Sequence, residues 1–163
     1  VEFVMGYKTK QFSSTCVFIS DQAIQTIFQE SSGKFPSETG GILVGKWIDQ
    51  EIIIEHATKP GPNAYHSSHS FKRDGDYSQS ILNELVLTSN GNDDYIGEWH
   101  SHPINSKPSK VDLNALVWIS KNKDYAVDKP LMCLCKNIGI NQWELEFYIL
   151  NNKKLYQVYR CDV

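Results

Sequence analysis

Two histidines, His100 and His102, stand at the end of an apolar segment that begins at Tyr95, and Asp112 follows ten residues after the second of them. Tyr95–His100 has the composition of a short strand. Side chains two apart on a strand share a face, so both imidazoles point the same way. Ser109–Lys121 carries Leu113, Leu116 and Val117 at helical spacing, which puts Asp112 in the first turn of a helix. Only the loop between Pro103 and Ser109 joins the two elements. That loop could fold the carboxylate back toward the two rings. Two neutral imidazoles and one carboxylate suit zinc and leave a fourth position for water, the pattern of a catalytic site. An ion held this way lowers the pKa of its water to about 7. The Ser109 hydroxyl lies beside the third ligand, where it can donate to an oxyanion. Ser109-x-x-Asp112 also spells a helix capping box, and the two roles are compatible.

The rest of the chain supplies a scaffold of ordinary size. Its 163 residues, 40% hydrophobic and 21% charged, suffice for a single domain spanning 1–163 with its own core. Sixteen basic against 19 acidic residues, with no basic block, argue against nucleic acid as a partner. No apolar run approaches the ~20 residues of a bilayer span, and no secretory signal opens the sequence, so no membrane partner is expected. Strands are predicted over Glu2–Tyr7, Thr15–Ser20, Gly41–Trp47, Glu51–Ala57 and Tyr95–His100, and near Leu131–Lys136, Trp143–Leu150 and Leu155–Arg160. Helices are predicted from Ser20 or Asp21 to about Glu30, over Tyr77–Thr88 and over Ser109–Lys121. Ser31–Ser37 reads as a polar loop. Lys59–Gly75 is a 17-residue connection rich in Pro, Gly, Asn, Ser and His, a length that marks function or mobility. Strands and helices mix without a regular βαβ repeat, so the class is α+β: a mixed, mostly antiparallel sheet flanked by about three helices. Cys133 and Cys135 share one strand face and read as buried reduced thiols, which makes reducing cytoplasm the expected compartment.

Glu38 lies in Pro36-Ser37-Glu38-Thr39-Gly40-Gly41-Ile42-Leu43-Val44-Gly45, ahead of a strand whose glycines admit close approach of backbone or substrate. Taken in order, Glu38, Gly97-Glu98-Trp99-His100-Ser101-His102-Pro103 and Ser109-Lys110-Val111-Asp112 resemble the JAMM (MPN-plus) zinc metalloproteases in their compact prokaryotic JAB-domain form. The resemblance runs from about Ser37 to Leu116, with no motif position substituted. It implies a cytidine-deaminase-like arrangement and one zinc ion bound by His100, His102 and Asp112. It also implies Glu38 as general base and later general acid, and Ser109 as stabiliser of the tetrahedral intermediate.

The reaction implied by the resemblance is hydrolysis of the isopeptide or peptide bond after the C-terminal tail of ubiquitin or a ubiquitin-like protein. The partner is then that modifier or a tail-conjugated protein. An extended tail could add as a strand near Lys59–Gly75. That loop is shorter than the insertions of eukaryotic relatives, so linkage-specific cleavage of polyubiquitin is not expected. The compact form is similar to bacterial relatives encoded beside activating and conjugating enzymes, some in antiphage operons including CBASS. Two other readings stay open: a peptidase that matures a carrier protein's C-terminus or removes a small amino-acid adduct, and a non-catalytic MPN scaffold. Members of the scaffold class typically lack one or more ligands, and this chain lacks none. His66 and His69 read as surface loop histidines. Trp99 is expected to pack beneath the metal, and Trp47, Trp118 and Trp143 to be core or partly buried.

Overall fold

The structure is a computed structural model that describes residue 12 and residues 14–161, so the strand expected over Glu2–Tyr7 lies outside the described residues. Strand β1 (Cys16–Ile19) leads into α1 (Asp21–Lys34), where the Ser20 hydroxyl accepts the Ala23 amide as N-cap. Such a cap stabilises a helix by about 1 kcal/mol. The helix runs a turn beyond the predicted end at Glu30, and most of the loop expected over Ser31–Ser37 is helical instead. Ser31 is fully buried on the inner face of α1. The stop signal is Phe35-Pro36, because a residue preceding proline is driven out of the helical region.

Strands β2 (Gly40–Ile48) and β3 (Glu51–Ala57) form the expected antiparallel hairpin, turning at Asp49, whose φ is 53°. The long connection after β3 folds into a small hairpin of its own, β4 (Tyr65–His66) with β5 (Phe71–Lys72). Helix α2 (Gly75–Thr88) starts at Asp74, whose carboxylate accepts the Tyr77 amide. Strand β6 (Asp94–His102), helix α3 (Lys110–Lys121) and strands β7 (Leu131–Gly139), β8 (Gln142–Asn151) and β9 (Lys154–Arg160) complete the fold.

The class is α+β, as expected, with three helices and a mixed, mostly antiparallel sheet. The sheet closes on itself in the order β1-β3-β2-β6-β7-β8-β9, because β1 also pairs in parallel with β9. Strand β6 runs antiparallel to β2 and parallel to β7, an interior position that fixes its register on both sides. One core packs against α1 and includes Val17, Ile27, Leu43, Ile54 and Cys133. The other packs against α3 and includes Ile42, Val44, Leu113, Leu116 and Leu134. Alternation along β6 sends Trp99 into the first core, where its indole N–H donates to the Thr58 carbonyl at 2.9 Å. Trp99 therefore faces away from the two histidines that follow it and does not pack beneath them. Trp118 is 60% exposed rather than a packing residue, Trp47 is 37% exposed, and Trp143 is partly buried.

Cys133 and Cys135 are free and buried on β7, as expected. Cys16 and Cys161 form a disulfide, which reducing cytoplasm does not predict. The parallel β1–β9 pairing brings the start of one strand beside the end of the other, with the two Cα atoms 5.4 Å apart. Among the described residues no helix is long and apolar enough to cross a membrane. The bridge spans 145 residues of sequence, so it constrains the unfolded chain strongly. Replacing either cysteine by serine is expected to cost about 2–4 kcal/mol. Urea unfolding of each variant beside the oxidised parent measures this, and equal midpoints would refute it.

Candidate active site

The structure brings the sequence-predicted residues to one place. His100 and His102 project from the end of β6 with their Nε2 atoms 3.1 Å apart. Asp112, from the first turn of α3, sets Oδ1 3.2 Å from His100 Nε2 and Oδ2 3.3 Å from His102 Nε2. Donors bound tetrahedrally to zinc at about 2.0–2.1 Å stand roughly 3.3 Å from one another. Each separation is close to that value, although the two carboxylate distances run to different oxygens, and one ligand atom from each residue lies within 4.8 Å of the others, so these three side chains could hold one metal ion. Burial alone would push the Asp112 carboxyl up, but His100, His102 and the Ser109 amide outweigh it and hold it far below the usual carboxylate range. Burial would push His100 down, and Asp112, Glu38 and Glu98 reverse that and raise it.

The aim of Asp112 is set by the helix start. Its Oδ2 accepts the Ser109 amide at 2.7 Å, and its own amide donates to Ser109 Oγ at 3.2 Å. The capping box read from sequence is present, and one of its acceptor oxygens is also the oxygen nearest His102. Ser109 Oγ acts there as an acceptor, which leaves its hydroxyl proton available for a further partner.

Glu38 stands just before β2, with Oε1 4.0 Å from His102 Nε2. That separation is too long for a direct hydrogen bond and admits a bridging water. Its backbone is held from two sides. On the β6 side, Thr39 N–H donates to Ser101 Oγ at 2.9 Å and Ser101 N–H donates to the Thr39 carbonyl at 2.8 Å. On the hairpin side, Glu38 N–H donates to the Ser67 carbonyl at 2.7 Å, and His66 Nδ1 lies 2.9 Å from the Glu38 carbonyl. Burial pushes the Glu38 carboxyl up from its ordinary value, opposed by His100 and His102. The glycine at 40 is required locally, since a Cβ there would run into the Trp99 carbonyl and the Phe71 ring.

Several neighbours escaped the sequence reading. Ser106 Oγ lies 2.8 Å from His102 Nδ1. With Nε2 offered to an ion, Nδ1 carries the proton and donates to Ser106, which fixes the ring. Glu98 is half-buried two residues before His100 and accepts Arg73 Nε at 2.7 Å on one oxygen and Tyr95 OH at 2.5 Å on the other. Arg73 also donates to Tyr125 OH at 2.8 Å. Burial raises the Glu98 carboxyl, against the lowering effect of Arg73 and both hydrogen bonds. The available signal was the same alternation that paired the histidines: an acid at 98 shares their face on a buried strand and demands a cation.

Two clefts flank the cluster. One, of about 260 Å³, runs between the β4–β5 hairpin and α3 and is lined by Phe71, Arg73, Glu98, Val111 and Leu116. The other, of about 400 Å³, is lined by Phe35, Pro36, Pro103, Ile104 and Ser106. Glu38 and His69 line both, so His69 borders the site rather than standing apart on the surface.

The pattern describing prokaryotic homologs of the JAB domain matches residues 20–144. The chain belongs to this family. It is a metalloprotease/isopeptidase hydrolase of the JAB type. A probable metalloprotease of Sinorhizobium fredii, y4qB, is 28% identical over 121 residues, 72% of this chain and 74% of the relative. A CD-NTase/cGAS isopeptidase of Escherichia coli is 30% identical over 107 residues, 65% of this chain and 69% of the relative. Another of that name, from Enterobacter hormaechei, is 30% identical over 138 residues, 80% of this chain and 74% of the relative. In fold, the JAB domain is similar to protein DSY2949 from Desulfitobacterium hafniense, with a TM-score of 0.64 and 13% identity over 89% of this chain and 91% of that one.

Removing the Ser106 hydroxyl leaves the His102 Nδ1–H without its partner. Ser106→Ala is expected to weaken metal affinity by about 10- to 100-fold, measured by competition with a chromogenic chelator. An affinity equal to the parent's would show that His102 is oriented by something else.

Proposed function

We propose that this JAB domain is a zinc isopeptidase that cleaves the amide bond between the C-terminal tail of a ubiquitin-like modifier and a lysine of the protein it modifies. The observation that carries this reading is the triangle of His100, His102 and Asp112 donors, with the Glu38 carboxylate 4.0 Å from one of them. Relatives named CD-NTase/cGAS isopeptidase support a conjugated protein as substrate and an antiphage setting of the CBASS kind. The order of the three donors along the chain, each present, counts against the scaffold reading.

Zinc held by the three side chains supplies Lewis acidity, polarising the scissile carbonyl and acidifying water. Glu38, beside that position, accepts the proton released as water attacks the carbonyl carbon. Ser109 directs its free hydroxyl proton to the developing oxyanion. Glu38 then hands its proton to the departing lysine amine, which completes hydrolysis without a bond between enzyme and substrate. The cleft beside the hairpin suits an extended tail, and the cleft at Phe35 and Ile104 suits the residues around the modified lysine.

The test uses two probes built on one ubiquitin-like protein ending in glycine. The first is joined through its C-terminus to the lysine side chain of a labelled peptide. The second is extended linearly by the same peptide. The zinc-loaded domain is expected to cleave the first faster. Cleavage of the second alone would favour the maturing peptidase, and cleavage of neither would sink the proposal.

Glu38→Gln is expected to lower turnover of the first probe by about 10²- to 10⁴-fold while elemental analysis still finds zinc. Near-parental turnover with zinc bound would remove Glu38 as the base. Ser109→Ala is expected to lose about 10²- to 10³-fold in kcat, beyond a helix-cap cost of about 1 kcal/mol seen in unfolding. A kcat unchanged in a folded Ser109→Ala protein would reduce Ser109 to its capping role.

A further inference from the structure

We propose that His66 is a positioning residue that holds the general base in place through the backbone of Glu38. This rests on Glu38 being the base proposed above. Nothing in the sequence marked His66 as more than a surface histidine, yet its ring lies between two features of the site. Its Nδ1 sits 2.9 Å from the Glu38 carbonyl oxygen. A carbonyl oxygen accepts and never donates, so Nδ1 carries the proton and donates to it. The next residue completes the clamp, because the Ser67 carbonyl accepts the Glu38 amide at 2.7 Å. Glu38 thus has both backbone polar groups bound by one dipeptide of the β4–β5 hairpin.

The ring is set by what it leans on. His66 and Phe71 are paired across the hairpin in register, with ring centroids 5.4 Å apart. Phe71 in turn lies against Gly40, where a side chain would collide with its ring. The stack Gly40–Phe71–His66 places Nδ1 over residue 38. At its far end the hairpin is fastened to β6 by the Arg73–Glu98 ion pair. Thr39 is fixed to β6 through Ser101, but that contact acts one residue downstream and leaves the Glu38 carbonyl to His66. A backbone held this way presets the direction in which the Glu38 side chain leaves the chain, and small misplacements of a reacting group cost much in rate.

The experiment compares the zinc-loaded protein with its His66→Ala, His66→Leu and His66→Asn variants. Leucine keeps apolar bulk against Phe71 without a donor. Asparagine keeps an N–H at the same distance along the side chain. Two quantities are read: steady-state turnover of the lysine-linked probe, and hydrogen exchange at the Glu38 amide. The Ala and Leu variants are expected to lose about 10- to 100-fold in kcat with KM within about twofold of the parent. Their Glu38 amide is expected to exchange about tenfold faster or more, while the amides of β6 keep their rates. His66→Asn is expected to recover most of both effects.

Parental kcat with parental exchange in His66→Leu overturns the proposal. So does an Asn variant no better than Leu, which would reduce His66 to packing. Should His66→Ala fail to fold, the Leu–Asn comparison decides. Hydrogen exchange needs no substrate, so if even the parent leaves the probe uncut, the isopeptidase reading fails while the exchange data still support or reject the clamp.

Discussion

The hydrogen bond from the Ser109 amide to Asp112 Oδ2 is the contact on which the site's geometry turns. It closes the first turn of α3 and, through the same carboxylate, faces the two imidazoles at the end of β6. A helix start and a ligand set thereby become one structure, since unwinding the turn would withdraw the oxygen from His102. Strand β6 meets it with equal rigidity. Its neighbours on both sides fix the histidines to within a register step, and a slip of one residue would send them into the α1 core and bring Trp99 out.

Charge explains why such a cluster suits an ion. Two half-buried carboxylates, Glu38 and Asp112, approach two largely buried imidazoles, and a third acid, Glu98, lies one pleat away with its own arginine. Acidic groups in low dielectric either gain a counter-charge or take up protons. Arg73 serves Glu98, while the histidines share Asp112 and oppose the upward push on Glu38. A divalent cation at the centre of the triangle would satisfy Asp112 and let both rings remain neutral, the state in which imidazole ligates.

Much of this was legible from spacing. His100, His102 and Asp112 followed from a two-residue period meeting a helical one, and the capping box followed from Ser109 and Asp112. What was hidden depended on chain segments distant in sequence. Nothing near His66 says that residue 38 will lie against it, and Ser106 looks like any loop serine until His102 turns toward it. The longer α1 was misread because Ser31, Ser32 and Gly33 resemble a loop, whereas burial of Ser31 and the proline at 36 decide where the helix stops. The Cys16–Cys161 bridge was invisible for the same reason as the clamp, since it exists only because the barrel closes.

The β4–β5 hairpin is tied down near both ends, by His66 and Ser67 on one arm and by Arg73 beyond the other. Its tip, Ser68 to Ser70, is exposed and lies between those ties. Extra residues inserted at the tip would lengthen the reach of the hairpin over an incoming polypeptide without shifting either fastening. The architecture thus separates the hairpin tip from the His100, His102 and Asp112 cluster, so the tip could change length while the cluster kept its geometry.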